Sequence, residues 1–255
     1  MPDDIKIALL IDGENVSYRY MKTILDELSV YGIVTYKRVY GDFTKPSMEG
    51  WKSVLLDNAL MPIQQFNNAV GKNSADSALI IDAMDILYSG SVGGFCIVSS
   101  DSDFTKLIAR LRESGMFVIT MGEEKTPKSL RKVSDKFISL DLIYDATKEE
   151  EKSDKNKKPE KELKSRAKQK RSIDPEIIRD IYKILIEDTD EEWLNLSELK
   201  NRLVKLHSDF DNRNYGYDKF SYMIKDIPDI EINERAGEGN IKIIYVRKKN
   251  KNDWI

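Results

Sequence analysis

Cysteine and histidine are almost missing: Cys96 and His207 are the single examples in 255 residues. One cysteine forbids an internal disulfide and suits a reducing compartment. Cys96 sits inside the apolar run Phe95-Cys96-Ile97-Val98, so it reads as a small buried hydrophobe rather than a nucleophile. One histidine and one cysteine are too few for a His/Cys zinc site. His207 lies far along the chain from the acid-rich segments and reads as an ordinary helix residue. No stretch reaches the roughly 20 apolar residues of a membrane span. Met1-Pro2-Asp3-Asp4 lacks the basic start of a signal peptide, so a cytoplasmic location is expected. The phosphate-cradling spacing G-x-x-x-x-G-K-[ST] is absent, although Gly71 and Lys72 adjoin, and no G-x-G-x-x-G follows a strand pattern.

A large excess of one charge is also missing, since the formal net charge is −3. The balance is uneven along the chain. Residues 1–147 carry 16 basic and 20 acidic side chains, residues 148–171 carry 11 and 6, and residues 172–255 carry 14 and 18. Bulk charge therefore gives no general attraction to nucleic acid. These shifts divide the chain into a first domain, 1–146, a charged linker, 147–171, and a second domain, 172–255. The linker holds one leucine and no aromatic residue, too little to bury a core.

In the first domain, apolar runs alternate with helical patterns. Ile5–Ile11, Ile33–Tyr40, Met61–Phe66, Phe95–Ser99 and Phe117–Met121 read as strands. Helical spacing covers Val16–Val30, Ser47–Leu60, Asp76–Tyr88, Phe104–Glu113 and Pro127–Asp135, and the apolar segment Phe137–Ile143 follows. Alternation of this kind predicts an α/β domain with a mainly parallel sheet. In the second domain, Asp174-Pro175-Glu176 opens a helix with a cap and a first-turn proline. Further helices are expected from Leu196 and over Tyr217–Asp226. A hairpin follows, Ile230–Asn233 with Ile241–Val246. Three helices and a hairpin predict a small winged helix-turn-helix.

The chemistry-bearing residues are carboxylates. Asp12 ends the first strand, and Ser99-Ser100-Asp101-Ser102-Asp103-Phe104 leaves the fourth. Asp76 opens a helix, which places it near the same sheet edge if the preceding loop packs over that edge. Open α/β sheets bind ligands at this edge. Without a usable His, hydrolysis of a phosphodiester calls for Mg²⁺ or Mn²⁺ held by converging acids. Asp12, Asp76, Asp101 and Asp103 provide such a set, both as metal ligands and as catalytic groups. Asn15, Lys72 and Ser100 stand beside them as supporting polar residues. Helix capping remains open for Asp76, Asp101 and Asp103, because Asp is a favoured N-cap. Asp82 and Asp85 are weaker candidates.

Ile11-Asp12-Gly13-Glu14-Asn15, Lys72 with Asp76-Ser77-Ala78-Leu79, and Ser99–Phe104 together resemble the NYN domain, a PIN-like nuclease family, over about residues 5–145. The resemblance implies a three-layer α/β/α fold and, in many members, a metal-dependent ribonuclease whose acids match Asp12, Asp76, Asp101 and Asp103. Asp209-Phe210-Asp211 with Asn214-Tyr215-Gly216-Tyr217-Asp218-Lys219-Phe220 resembles the OST-HTH (LOTUS) domain over about 173–247. That resemblance implies binding to RNA, G-rich in some members, or to protein partners. Arg213, Tyr215, Tyr217, Lys219 and the basic tail Arg247–Lys251 are the residues expected to touch RNA, with burial of both tyrosines as the competing reading. The expected activity is a metal-dependent endoribonuclease with an RNA-recruiting winged helix. The alternative is a non-catalytic RNA-binding or adaptor protein that keeps the nuclease fold.

Overall fold

A computed structural model describes residues 5–66, 74–145, 172–187, 193–236 and 242–249. The chain divides into two compact units, Met1–Asn156 and Lys157–Ile255. The charged linker, Lys72 and the last residues of the basic tail lie outside the described residues.

The first unit is built on six strands: β1 (Lys6–Asp12), β2 (Ile33–Gly41), β3 (Met61–Gln64), β4 (Gly94–Val98), β5 (Phe117–Gly122) and β6 (Lys136–Ser139). Their order is β3-β2-β1-β4-β5-β6, and every neighbouring pair is parallel. All five residues of β4 and six of seven in β1 are buried. That explains their unbroken apolar sequences, since a central parallel strand is covered on both faces. Alternate residues of β1 enter different cores. Ile7, Leu9 and Ile11 pack with residues of α1 (Met21–Leu28) and α2 (Trp51–Asp57). Ala8 and Leu10 pack with α3 (Ser74–Ser89), α4 (Thr105–Glu113) and α5 (Lys128–Val133). The result is a three-layer α/β/α domain.

Two helices are shorter than their periodicity predicts. The Val16–Val30 pattern begins as a 3₁₀ turn, Tyr18–Tyr20, capped by Ser17, before α1 starts at Met21. The Ser47–Leu60 pattern is likewise a 3₁₀ turn opened by Pro46, followed by α2. Proline suits a first turn but not a helix interior. Beyond β6, a helical segment starts at 140, within the expected apolar run. Cys96 is fully buried, and burial alone pushes its thiol far above the usual range, which leaves it a hydrophobe. Among the described residues, no helix is long and apolar enough to cross a membrane.

The second unit comprises α6 (Pro175–Glu187), β7 (Leu194–Asn195), α7 (Leu196–Leu206), a 3₁₀ turn (Asn212–Tyr215), α8 (Phe220–Lys225), β8 (Ile230–Ala236) and β9 (Lys242–Lys248). Asp174 Oδ1 accepts from the Glu176 N–H, so the expected cap is in place. α8 starts later than predicted because Gly216 takes φ +81° and Lys219 is extended, which separates Tyr217 from the helix. The hairpin gains a third strand that the sequence pattern did not reveal: β7 pairs with β9, giving an antiparallel sheet β7-β9-β8. Two residues are too few to display an alternation. The core centres on Ile181, Leu199, Leu203, Met223, Ile224 and Val246. This is a small winged helix-turn-helix.

Candidate active site

The acids meet because of sheet topology. From β1 the chain moves outward through β2 and β3, then returns to the other side of β1 as β4. Open α/β sheets form a crevice beyond the strand ends where the winding direction reverses, and β1 and β4 flank that point here. Asp12 is the last residue of β1, and Ser99 to Asp101 leave the neighbouring β4.

Asp12 is buried, with 1% of its surface exposed. Its carboxylate accepts from Asn15 Nδ2 at 2.7 Å, Ser99 Oγ at 2.8 Å and the Asn15 N–H at 3.3 Å. Burial raises its pKa, these three hydrogen bonds oppose the rise, and the nearby Asp101 charge adds to it; the net direction is upward. Gly13 permits the turn, since a Cβ there would lie 2.8 Å from Val39 Cγ1. Ser99 joins the strand ends. Its hydroxyl donates to Asp12 while its Oγ accepts from the Asp101 N–H at 3.1 Å. Ser99 was not among the expected site residues. Its signal is a small hydroxyl residue between a buried strand and an acid.

Capping is settled between the two acids of the motif. Asp101 is the N-cap, and its Oδ1 accepts from the Asp103 N–H at 2.9 Å. Asp103 lies exposed in the first turn. Asp76 lies in the first turn of α3, half-buried. Burial, then the charges of Asp12, Asp101, Asp103 and Glu14, push its carboxyl up to about 6. All four expected acids therefore share one electrostatic neighbourhood, which Glu14 joins. Glu14 was not among the expected site residues; it accepts from Lys45 Nζ at 2.8 Å and the Asp42 N–H at 3.2 Å.

Other expected residues lie elsewhere. Ser100 turns toward the end of β5: its Oγ accepts from the Glu123 N–H at 2.9 Å and from Thr126 Oγ1 at 3.0 Å. It braces that loop and has no hydrogen bond to the acids in this arrangement. Asp82, a weaker candidate, is engaged with Arg38 and the Tyr40 hydroxyl on β2. Lys72 lies outside the described residues.

Among the described residues, no three Asp, Glu, His or Cys side chains gather tightly enough to enclose a metal ion. The donor set is nonetheless all oxygen, and its acids raise the pKa of Asp76 on top of burial. That chemistry fits a hard divalent cation, and Mg²⁺ usually keeps several waters and needs only one or two carboxylates.

In the second unit, Tyr217 corrects an expectation. It is 6% exposed, and its hydroxyl donates to Asp226 Oδ2 at 2.9 Å, so its ring belongs to the core and offers no stacking face. Tyr215 is half-buried against Phe210, with ring centroids 6.3 Å apart. Burial, then Asp174 and Asp209, push its hydroxyl up to about 12. Arg213 is clamped by Asp211, with Nη2 to Oδ2 at 2.7 Å. Lys219 is exposed, its Nζ 5.8 Å from the Tyr222 ring. In the basic tail, Arg247 Nε donates to Glu231 at 2.7 Å. His207 caps the end of α7 and meets Asp180 at 2.7 Å.

Comparison with known proteins agrees with this architecture. Residues 6–141 match the NYN domain, and residues 174–241 match the OST-HTH/LOTUS domain. The chain belongs to the NYN family, whose domain is a PIN-like nuclease domain, and carries an OST-HTH/LOTUS domain after it. The pairing supports a nuclease and RNA-binding role. An uncharacterized protein of Methanocaldococcus jannaschii is 28% identical over 158 residues, 60% of this chain and 62% of that protein. A Vibrio parahaemolyticus protein of unknown function, known from a crystal structure, is 19% identical with a TM-score of 0.46, covering 55% of this chain and 95% of that one. An uncharacterized Nitrosomonas europaea protein, solved by NMR, is 29% identical with a TM-score of 0.28, over 38% of this chain and 93% of its own.

Proposed function

We propose that the protein is a divalent-metal-dependent endoribonuclease of the cytoplasm, with Asp12, Asp76, Asp101 and Asp103 holding Mg²⁺ or Mn²⁺. The reading rests on one observation. Beyond the effect of burial, Asp12, Asp101, Asp103 and Glu14 all raise the pKa of Asp76, so negative charge converges on that carboxyl from several segments. A divalent ion bound there would neutralise charge developing on a phosphodiester and activate water.

The residues of the chain do the positioning. Asn15 and Ser99 fix the Asp12 carboxylate from two sides. Ser99 Oγ also accepts from the Asp101 backbone N–H, so one hydroxyl sets the relation of the two strand-end acids. The Asp76 carboxyl holds a proton below about pH 6 and loses it above. The negative charge of Asp76 is therefore available to a cation mainly above that pH. RNA is the proposed substrate, recruited by the winged helix with Lys219, Tyr215 and Arg213 among the contacts. Protein partners of that domain are a further proposal.

A non-catalytic RNA-binding protein that retains the fold is the second reading. The looseness of the acid cluster among the described residues favours it. Cleavage of single-stranded and structured RNA, with Mn²⁺ and with EDTA, separates the two. EDTA-sensitive cleavage that Asp101→Asn removes supports the enzyme. No cleavage, alongside calorimetry that detects no Mn²⁺ binding at millimolar metal, supports the second reading, and metal-independent cleavage refutes both.

A further inference from the structure

The outer face of the three-stranded wing sheet carries a patch that neither motif singled out. Leu194 and Val246 sit opposite each other and are both buried, at 4% and 0% exposure. Because side chains alternate, their neighbours Asn195, Tyr245 and Arg247 belong to the other face. Across the sheet, Asn233 opposes Tyr245, Glu231 opposes Arg247, and Arg235 opposes Ile243. Trp193, immediately before β7, completes the surface.

On this face cations and rings interleave. The Arg247 guanidinium lies 4.6 Å from the Trp193 ring centroid. Arg235 lies 4.5 Å from the Tyr245 ring and 5.9 Å from Trp193. Arg235 is exposed and makes no ion pair among the described residues. Its position is unusual in a segment with more acids than bases, 18 against 14 over residues 172–255. Arg213 and Arg247 each hold a carboxylate; Arg235 is held by two rings instead. A ring orients a guanidinium but supplies no anion, so among the described residues its charge meets no carboxylate and can serve a ligand.

We propose that this sheet face is a stacking platform for single-stranded RNA, with Trp193 and Tyr245 taking unpaired bases and Arg235 taking a backbone phosphate. The chemistry matches the ligand on both counts. Aromatic faces suit unpaired bases of any sequence, and an uncompensated arginine beside them suits the phosphate between two bases. A duplex, whose bases are stacked internally, offers the rings nothing. The site rests on the RNA-binding reading above and gives it a location different from the Arg213–Lys219 loop.

The test uses the full chain in EDTA, with a fluorescent single-stranded RNA oligomer and the duplex of the same sequence, titrated by anisotropy over a range of salt. Arg235→Gln should weaken single-strand binding about fivefold and reduce the slope of log affinity against log salt by about 0.7, the value of one phosphate contact on a single strand. Trp193→Ala should weaken it about tenfold, while Trp193→Phe, which keeps a ring, stays within about twofold of wild type. Duplex binding should change less than about twofold in all three. If Trp193→Ala fails to fold by thermal melting, Arg235→Gln and Trp193→Phe decide. Wild-type single-strand affinity and slope in a folded Arg235→Gln protein overturn the platform and leave the RNA-binding reading intact. Equal losses on duplex and single strand also overturn it. Absence of RNA binding by the wild-type chain removes both.

Discussion

At the ends of β1 and β4, carboxylates from separate segments share one neighbourhood, and burial together with their charges pushes the Asp76 carboxyl up to about 6. On the wing sheet, Arg235 and Arg247 rest on Trp193 and Tyr245, so like charges are spaced by rings. The first arrangement is unfavourable for the isolated fold, and the proposed cation would relieve it. The second is favourable as it stands. Groups perturbed in the first way cluster at functional sites. The wing shows the other means of holding charge ready, by immobilising a cation on a surface that leaves it unneutralised.

The sharpest way to break this comparison is Asp101→Asn. Asparagine caps a helix as well as aspartate does, so the fold should persist while the negative charge is lost. Cleavage should fall by on the order of 100-fold or more, with melting temperature and RNA affinity unchanged. Wild-type turnover in a preparation free of contaminating nuclease would refute the crevice as the catalytic site.

Ser99→Ala tests whether the crevice depends on its bridging hydroxyl. The substitution removes a donor to Asp12 and an acceptor for the Asp101 N–H, both at a fully buried residue. Stability should fall by about 1–3 kcal/mol, read by urea denaturation, and cleavage should fall with it. An unaltered urea midpoint would mean the bridge is dispensable.

Asp76→Asn tests the sign of the electrostatics. A carboxyl whose folded pKa lies above its ordinary value binds more protons folded than unfolded, so its contribution to stability falls as pH rises from about 4 through about 6. Without divalent ions, removing this charge should stabilise the protein at pH 7–8. The gain should be on the order of 1 kcal/mol after screening of a half-buried site, or about 2–4 °C in Tm. At pH 3.5 the gain should vanish, and added Mn²⁺ should stabilise wild type more than the variant. A variant less stable than wild type at pH 8 would contradict the account.

The smallest effect sharpens the contrast within the second unit. Arg213 is paired with Asp211, whereas Arg235 is not ion-paired among the described residues. Arg213→Gln should therefore change single-strand RNA affinity by less than about twofold, well below the effect at Arg235. A larger loss at Arg213 would move the principal contact to the loop.

Much of this was legible in the chain. The continuous apolar runs at Ile7–Ile11 and Phe95–Val98 fit only doubly covered strands, and their alternation with helical spacing is consistent with a parallel sheet. The acids at Asp12, Asp76 and Asp101 were visible because each stands where a strand ends or a helix begins. Glu14 escaped notice because its spacing from Asp12 suggests a turn, and only the fold shows that its charge reaches Asp76. Of the wing patch only Arg247 stood out, in the basic tail; Trp193, Arg235 and Tyr245 did not, because they come from separate segments, one of them beside a strand two residues long.

Sequence by itself determined the kinds of chemistry available: with one histidine, one cysteine and no phosphate-binding loop, carboxylates were the groups left to act. It also determined the layered architecture, because burial on two faces leaves a periodicity that a strand cannot hide. Tertiary structure alone decided how those groups are used. It assigned the helix cap to Asp101 rather than Asp103, sent Ser100 to brace the β5 loop and placed Tyr217 in the core. It also set Arg235 on two rings. Each of these depends on which segments meet across the fold, and side-chain partners far apart in the chain leave no local pattern to read.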